Sequence, residues 1–360
     1  MSNRIKVGIW GLGRAGLNMH APEVRKYAGM YELVAGMDTD AERRGIFAAN
    51  YGARVHDTEE ALLGDPDVEM ISIATRSLDH VEHCARALAR GKYVFLEKPV
   101  ATSYADALRL VDLDREYPGR LYLRHNRRFE APFNHIREIM ASGILGTVYE
   151  IKLCRHGFKR RSDWQTIIEC GGGQLNNWGP HILDHALQFL DYDVKEVWSD
   201  LKRIAAVGNA EDHLKIVLKG GNGLVVDLEI SGGAALPQNE YTIFGTRGAL
   251  TCNGDLITLK YADPKQVFRD TEAFAGNPPL EGGIANAYAD LEAIQWIEED
   301  IKVNPSVPTE MDLIWVAMYR AIREGVAYPI SVAEGVAVIK IIEDVKRNTP
   351  FAPAPAGPAA

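Results

Sequence analysis

Long hydrophobic runs and dense basic blocks are both absent from this sequence of 360 residues. A membrane-spanning helix needs roughly 18 or more consecutive apolar residues, and no stretch of the chain approaches that length. The formal net charge is -9, which leaves no extended positive field to hold a phosphate backbone. We therefore expect neither a membrane protein nor a nucleic-acid-binding protein.

Cysteine is scarce, and its four residues are scattered along the chain. None of them forms a CxxC pair, so the sequence predicts neither a thiolate zinc site nor a disulfide framework. The first residues run directly into a short apolar strand, without the longer apolar stretch and cleavage site of a signal peptide. Together these features favour a reducing cytoplasm as the location.

Short apolar runs alternate with helix-sized amphipathic stretches through residue 124. Alternating strands and helices imply crossover connections, and hence a doubly wound parallel sheet of the Rossmann type. We expect this first domain to span residues 1–124. The predicted strands are Ile5–Trp10, Tyr31–Met37, Val68–Ala74, Tyr93–Leu96 and Leu121–Leu123.

The pattern changes after residue 124, where strand-like runs are joined by Gly-rich turns such as residues 219–223. Such turns are typical of a largely antiparallel sheet. We expect an α+β domain over residues 125–350, built on a large, mostly antiparallel open sheet, with helices over Asn286–Val303, Thr309–Glu324 and Ser331–Arg347. Residues 351–360 are almost entirely Pro, Ala and Gly, which predicts a disordered tail.

A GxGxxG fingerprint lies at the first predicted strand-to-helix turn and consists of Gly11, Leu12, Gly13, Arg14, Ala15 and Gly16. The first glycine permits a tight turn, the second lets backbone N–H groups approach a pyrophosphate, and the third lets the helix pack closely on the sheet. This placement predicts a dinucleotide-binding site.

Asp38 ends the second predicted strand and indicates which dinucleotide is bound. A carboxylate there can accept hydrogen bonds from both ribose hydroxyls of NAD, and it repels the 2'-phosphate of NADP. Arg43 and Arg44 fall within the following helix, where we expect a solvated face. The sequence therefore predicts NAD rather than NADP.

Two further motifs carry a family resemblance. Glu97-Lys98-Pro99 follows the fifth predicted strand, and the segment Gly171–Asp184 matches the pattern GGGxLxDxGxHxxD at all but one of its defined positions. Together with the fingerprint, these motifs resemble the glucose-fructose oxidoreductase and inositol dehydrogenase family, called Gfo/Idh/MocA. The likeness extends over roughly residues 4–347.

The resemblance implies roles for particular residues. Lys98 would point at the reacting hydroxyl, and His181 would act as acid/base. An ammonium stabilises charge that develops on an alkoxide or carbonyl oxygen, and a neutral imidazole can accept the alcohol proton. Glu97 would orient Lys98 and the cofactor ribose. The other residues expected near the cofactor are Ala74, Thr75, Arg76, His80 and Arg127.

Two departures from the family pattern stand out. Asn177 occupies a position where relatives commonly carry Asp, and an amide cannot stabilise an imidazolium or serve as a base. Arg76-Ser77 replaces the usual Pro-Asn. Arg76 either reaches an anionic substrate or the cofactor pyrophosphate, or it faces solvent, and the sequence leaves these alternatives open.

Further candidates for substrate binding begin at the second domain and continue into its basic, aromatic-tipped stretch near residues 155–164. That stretch either contacts a sugar or forms a solvated loop or subunit contact. The spacing of His181 and the two residues at i+3 and i+4 also permits a metal site, although we expect hydrogen bonding and no metal. The candidates are Asn126, Arg127, His156, Trp164, Asn177, Asp184 and His185.

These observations lead to three functional hypotheses. The first is an NAD-dependent oxidoreductase that oxidises a secondary hydroxyl of a sugar, inositol or sugar derivative. The second is a glycosidase or isomerase that uses tightly bound NAD in a transient oxidation. The third is a non-catalytic NAD-dependent regulator. The resemblance also implies a homodimer or homotetramer formed through the open face of the second sheet.

Overall fold

A computed structural model describes residues 3–270, 292–303 and 310–352. Its first sheet has six strands, all parallel, in the order β3-β2-β1-β4-β5-β6. The strands are β1 (Ile5–Trp10), β2 (Tyr31–Met37), β3 (Arg54–His56), β4 (Met70–Ile73), β5 (Tyr93–Leu96) and β6 (Leu121–Leu123). This confirms the predicted doubly wound sheet.

Helices cross over between these strands, as a parallel sheet requires. Two of these helices begin with an N-cap side chain that accepts backbone hydrogen bonds. Asp40 caps the second helix and Ser103 caps the fifth. β4 is buried along its whole length, because helices cover both faces of the sheet. The helices are α1 (Ala21–Lys26), α2 (Ala41–Tyr51), α3 (Glu59–Gly64), α4 (His80–Ala89) and α5 (Tyr104–Glu116).

The second sheet has eight strands in the order β14-β13-β12-β11-β7-β10-β9-β8. Every neighbouring pair is antiparallel except β7 with β10, which confirms the mostly antiparallel sheet. The strands are β7 (Val148–His156), β8 (Val194–Lys202), β9 (His213–Gly220), β10 (Val225–Ser231), β11 (Tyr241–Gly245), β12 (Gly248–Asn253), β13 (Leu256–Ala262) and β14 (Trp296–Lys302).

One face of this second sheet is packed against helices, and its other face carries charged side chains. Alternate β9 residues such as Leu214 and Ile216 are buried against the helices. On the opposite face Lys215 lies within ion-pair distance of Asp227 and Glu229. The helices of this part are α6 (Ala131–Ala141), α7 (Gln174–Asn177), α8 (Gly179–Phe189), α9 (Leu313–Glu324) and α10 (Val332–Lys346).

The predicted helix over Asn286–Val303 is wrong. Residues 296–302 form β14, which pairs with β13 along its whole length, while residues 286–291 lie outside the described residues. Ile297 and Ile301 are four positions apart, a spacing that places two residues on one face of a helix and also on one face of a strand. Pairing with the antiparallel strand β13 makes this segment a strand rather than a helix.

The end of the chain returns to the first domain. Trp315 of α9 packs edge-on against Tyr31 of β2 and Phe95 of β5, with ring centroids 5.3 and 4.7 Å apart. The Tyr31 hydroxyl donates a hydrogen bond to the Trp315 carbonyl oxygen over 2.6 Å. The predicted boundary at residue 124 follows β6 directly, but the core of the first domain is completed by α9.

Two further sequence predictions concern the C-terminal tail and membrane-spanning helices. Of the tail expected over residues 351–360, residues 353–360 lie outside the described residues. Within the described ranges, no helix has both the length and the apolar character that crossing a membrane requires.

Candidate active site

A cleft of about 1400 Å³ opens at the carboxyl edge of the parallel sheet and receives side chains from both domains. β1 lies between β2 and β4 there, which is the switch point where open α/β sheets bind ligands. Most of the predicted site residues line this cleft. They are Gly11, Gly13, Arg14, Ala15, Asp38, Ala74, Thr75, Arg76, His80, Glu97, Lys98, Asn126, Arg127, Trp164, Asn177 and His181.

The glycine fingerprint forms a cradle that side chains would fill. A Cβ on Gly11, whose φ is +96°, would lie 2.7 Å from the Ala74 carbonyl oxygen, and one on Gly16 would lie 1.9 Å from the Gly11 carbonyl oxygen. A Cβ on Gly13 would meet only the end of the Arg43 side chain, 3.9 Å away, and the first N–H groups of a helix have no partner within it. Leu12 and Gly16 are buried behind the cradle. This shape fits a dinucleotide pyrophosphate.

Asp38 directly follows β2 and lines the cleft, and its carboxylate accepts hydrogen bonds from the backbone of Leu12 and Asp40 at 2.8 and 3.0 Å. The Arg43 side chain is 51% exposed, which fits the expected solvated face, and Arg44 is partly buried. The Arg43 guanidinium lies 3.6 Å from the Asp38 carboxylate and lines the cleft. Arg44 donates to the Asp38 carbonyl oxygen over 2.7 Å.

Glu97 is the centre of a buried ionic network. Its Oε1 accepts a hydrogen bond from Arg124 over 3.0 Å and lies 3.3 Å from His20 Nε2, and its Oε2 accepts from the Lys98 backbone N–H. Arg124 also donates to Glu23. Although burial alone would raise the pKa of Glu97, Arg124 and His20 hold it well below its usual range. Glu97 is therefore an ionised anchor for the backbone that carries Lys98.

Lys98 is held across the cleft by the second domain. Its Nζ donates to the Asn177 carbonyl oxygen over 3.0 Å and lies 3.4 Å from the Asn177 side-chain oxygen. Burial lowers the pKa of Lys98, and the Glu97 carboxylate opposes that shift. Asn177 thus positions the ammonium at the mouth of the cradle.

His181 is the third residue of α8, directly after Pro180, and is 8% exposed. Its Nδ1 is buried without a hydrogen-bond partner in the described part of the chain. Burial, followed by the charges of Lys98 and Arg127, lowers the pKa of His181 well below the ordinary value. The imidazole is therefore neutral at pH 7 and able to accept a proton.

Glu211 supports the segment that carries His181, and sequence reasoning missed it. Its carboxylate accepts a hydrogen bond from Leu175 N over 3.0 Å, and its carbonyl oxygen accepts from Gln174 N. A Cβ on Gly173, whose φ is +107°, would lie 2.2 Å from the Glu211 carboxylate. No local pattern announces this residue, because its partners are more than 30 positions earlier in the chain.

Two cation–aromatic contacts stand over the cleft. The Arg76 guanidinium lies 4.2 Å from the Trp164 ring centre and so joins the two domains, and Arg127 lies 4.4 Å from the Trp178 ring centre. Lys159 and the neighbouring Arg161 also line the cleft. Arg76 is exposed and lines the cleft.

Three predicted substrate residues do not line the cleft. His156 lies 3.2 Å from Glu229 on the sheet, and Asp184 accepts hydrogen bonds from Arg128. His185 stacks on Phe133 at 3.7 Å and contacts the Arg127 carbonyl oxygen. These partners fix all three in the protein interior.

The same partners separate His181 from Asp184 and His185, which the alternative metal hypothesis grouped together. Asp184 is committed to Arg128, and both ring nitrogens of His185 have protein partners, the Arg127 carbonyl oxygen and the Tyr241 hydroxyl. Among the residues that the structure describes, no group of three or more His, Cys, Asp or Glu side chains is arranged to hold a metal ion.

Comparison with known proteins identifies the family. Residues 5–125 match the family described as "Oxidoreductase family, NAD-binding Rossmann fold", and residues 133–251 match the "GFO/IDH/MocA C-terminal domain". The chain belongs to the Gfo/Idh/MocA family. It is thus an oxidoreductase with an NAD-binding domain, and the resemblance stated from the sequence is confirmed.

Other Gfo/Idh/MocA proteins are similar along most of the chain. Scyllo-inositol 2-dehydrogenase (NADP(+)) IolW of Bacillus subtilis is 27% identical over 351 residues, covering 94% of this chain and 92% of the relative. An oxidoreductase structure from Thermotoga maritima has a TM-score of 0.78 at 20% identity, with 96% of each chain covered.

A third comparison is with the WlbA dehydrogenase from Bordetella pertussis, whose structure contains NADH and UDP-GlcNAcA. Its TM-score is 0.75 at 21% identity, and 96% of each chain is covered. At this level of identity the likeness shows a shared fold.

Proposed function

We propose that the protein transfers hydride between NAD and a secondary hydroxyl of a sugar, inositol or sugar derivative. The observation that carries this proposal is the arrangement of Lys98 and His181. Both line one cleft beside the glycine cradle, where burial and the charge of Lys98 lower the pKa of His181 and so keep its imidazole neutral. The name of the Bacillus subtilis relative, an inositol dehydrogenase, supports a polyol or sugar as the substrate class.

Lys98 and His181 would have different roles at the reacting carbon. The bound nicotinamide would accept or return the hydride. The Lys98 ammonium would donate a hydrogen bond to the substrate oxygen and stabilise the negative charge that develops there. The neutral His181 imidazole would take the hydroxyl proton, an effect typically worth about 10^2 to 10^4-fold in rate.

NAD is the cofactor that Asp38 favours. Its carboxylate lies at the end of β2, where a ribose 2'-hydroxyl would bind and a 2'-phosphate would be repelled. Arg43 is the feature that opposes this preference, since its guanidinium lies near the same position. Two hydrogen bonds from backbone N–H groups keep the carboxylate in place, and we assign it the larger effect.

The substrate would bind between the cofactor and the second domain. Asn126, Arg127 and Asn177 offer hydrogen-bonding groups, and the Trp164 ring offers a flat apolar surface of the kind that packs on sugar rings. Asp184 and His185 would support this wall from behind through Arg128 and Arg127.

The test starts with a mass and absorbance analysis of the purified protein for bound dinucleotide. The protein is then incubated with sugars, inositols and glycosides while NADH absorbance is recorded. Steady NADH formation with added NAD supports the dehydrogenase. Substrate turnover without net NADH, with NAD retained by the protein, would instead identify the glycosidase or isomerase reaction. Cofactor binding without any turnover would favour the third hypothesis, a non-catalytic NAD-dependent regulator.

A further inference from the structure

We infer that the substrate carries an anionic group, a carboxylate or a phosphate, which binds to Arg76 and Lys159 beside Lys98. This inference rests on the proposed function and adds to it the charge of the substrate. It concerns the part of the cleft around Lys98, Trp164 and Asn177, which we call the substrate end.

Positive charge exceeds negative charge at the substrate end. Among the described residues, no carboxylate lies within 4.0 Å of the cationic groups of four residues that line the cleft. Their neighbouring carboxylates are already paired, Glu97 with Arg124 and Asp163 with Arg161. The four unpaired cations are Arg14, Arg76, Lys98 and Lys159.

The other carboxylates of the cleft do not balance this charge. Glu59 and Glu60 pair with Arg86, and Glu59 also lies 3.8 Å from His83. Asp38 lies 3.6 Å from the Arg43 guanidinium. Asp57 and Asp79 also line the cleft, and the charge of Asp79 acts on His83.

A bound dinucleotide would use only part of the positive charge. Arg14 belongs to the glycine cradle and is the cation nearest to a pyrophosphate, and an oxidised nicotinamide is itself positive. Arg76 is attached instead to the substrate end by its contact with Trp164 of the second domain. Lys159 lies there too, because it lines a small recess together with Asn177, Glu211 and Asp212. The two carboxylates of this recess accept hydrogen bonds from backbone N–H groups, Glu211 from Leu175 and Asp212 from residues 204–206. These two cations remain for the substrate.

Arg76 is suited to an oxyanion. The Arg76 guanidinium carbon lies 4.2 Å from the Trp164 ring centre, and a guanidinium can bind a carboxylate or phosphate with two parallel hydrogen bonds from its N–H edge. Because Trp164 and Arg76 come from different domains, the anion would bind where the two halves of the cleft meet.

An anion at the substrate end would also compensate for Asn177, which stands where the family pattern has Asp. The amide supplies no negative charge near His181, while Lys98 and Arg127 oppose protonation of its imidazole. A substrate carboxylate or phosphate bound among these cations would favour the protonated ring. The substrate would then bring the charge that the side chain at position 177 lacks.

The experiment compares matched neutral and anionic substrates. Glucose, glucuronate and glucose 6-phosphate form one set, and myo-inositol and its monophosphate form another. The kcat/KM of each is measured with NAD, and its binding to the NAD-loaded protein is measured by calorimetry. We expect an anionic member to exceed its neutral partner by about tenfold or more. The comparison of carboxylate with phosphate then identifies which anion is preferred.

Variants connect the preference to the named residues. Arg76→Gln and Lys159→Gln should each raise KM for the anionic substrate by about tenfold while changing KM for the neutral partner less than about twofold. Arg76→Lys should recover part of the loss because it keeps the charge. Arg160→Gln is the matched control, since Arg160 is exposed next to Lys159 and does not line the cleft.

The outcomes separate this inference from the proposed function. Neutral sugars that react as well as their anionic partners, or an Arg76→Gln variant that affects both equally, would overturn the inference and leave a sugar dehydrogenase intact. Absence of turnover in both sets would count against the proposed function. Calorimetry would still decide the inference in that case, because equal affinity for both members contradicts it and preference for the anion supports it.

Discussion

Lys98 joins the first domain to the second through Asn177, and its removal should separate chemistry from cofactor binding. In Lys98→Met the ammonium that stabilises the substrate oxygen is lost, while the glycine cradle is unchanged. We expect hydride transfer to fall by about 10^3-fold and the Kd for NAD to change less than about threefold. Single-turnover NADH formation and equilibrium NAD titration measure the two quantities.

The control for this variant is Lys340→Met, which alters an exposed lysine of α10 that pairs with Asp344. Lys340→Met should retain the hydride-transfer rate and the NAD affinity of the unchanged protein. Equal losses of NAD affinity and turnover in Lys98→Met would contradict the assigned role.

Asp38 and Arg43 should act in opposite directions on cofactor choice. Asp38→Ser removes the negative charge that repels a 2'-phosphate, and we expect the ratio of kcat/KM for NAD to that for NADP to fall by about tenfold or more. Arg43→Gln should raise the same ratio, because it removes the cation beside that position. Initial rates with both cofactors measure the ratio. An unchanged ratio in both variants would show that neither side chain selects the cofactor.

At the scale of single residues, contiguous motifs carried most of the information. The glycine fingerprint, Lys98 and His181 were predicted to share one site, and they line the same cleft. Glu211 was missed and His156 was misplaced for one reason. Each is defined by a partner far away in the sequence, so its position depends on tertiary packing, which no local pattern encodes.

The short segment from the glycine triplet to α8 should be sensitive to a single methyl group. In Gly173→Ala the new Cβ would overlap the Glu211 carboxylate, and the residue would have to keep a φ near +107°. We expect a loss of about 1–3 kcal/mol in the free energy of unfolding and a large fall in kcat, since α8 carries His181. Thermal unfolding and steady-state kinetics measure these effects.

Gly45→Ala is the matched control for the change at Gly173. Gly45 lies within α2, where a Cβ would meet nothing within 4 Å. Alanine should stabilise that helix by about 0.5–1 kcal/mol without changing kcat. Similar behaviour of the two variants would exclude the proposed role of the Glu211 contact.

Four buried histidines should make the fold sensitive to acid. Burial lowers the pKa of His80, His125 and His181, and that of His185 to about 3. The unfolded chain binds these protons near pH 6.5 and the folded protein does not, so stability is full above pH 6.5 and declines as the pH falls below it. For a histidine that stays neutral in the folded protein, the cost near pH 5.5 is on the order of 1 kcal/mol.

Unfolding midpoints between pH 7.5 and pH 5.5 test this acid sensitivity. His125→Leu should show a smaller decline than the unchanged protein, because one buried titrating group is gone. His135→Leu, on the more exposed side of α6, should show the same decline as the unchanged protein. A wild-type midpoint that stays constant over this range would contradict the assignment.

At the scale of elements, the pattern predicted long segments better than short or ambiguous ones. The sequence predictions contained neither β3 nor α3, since three and six residues carry too little periodicity. β14 was taken for a helix because its two isoleucines fit both periods. The long helix α10 was predicted to within one residue at each end, and the structure begins it with a capping box of Ser331 and Glu334.

At the scale of the whole molecule, we propose a homodimer through the charged outer face of the eight-stranded sheet. Trp198 of β8 is 57% exposed and lies opposite Val217 on that face, and a large exposed indole is typical of interface centres. Light scattering with size exclusion should give twice the chain mass. Trp198→Glu should give monomers, while Ile46→Glu, on an exposed part of α2, should leave the dimer unchanged. A monomeric wild-type protein would refute the proposal.

The return of α9 to the first domain limits how such a chain can be divided. A fragment cut after residue 124 would leave Tyr31 and Phe95 without the Trp315 indole, and Glu23 without the hydrogen bond that Trp315 donates. Chimeras between relatives therefore need three pieces, with α9 taken from the same parent as β2. Recombination only at the junction of the two domains would combine the first-domain core of one parent with α9 of another. This mismatch would hinder the exchange of second domains among these enzymes.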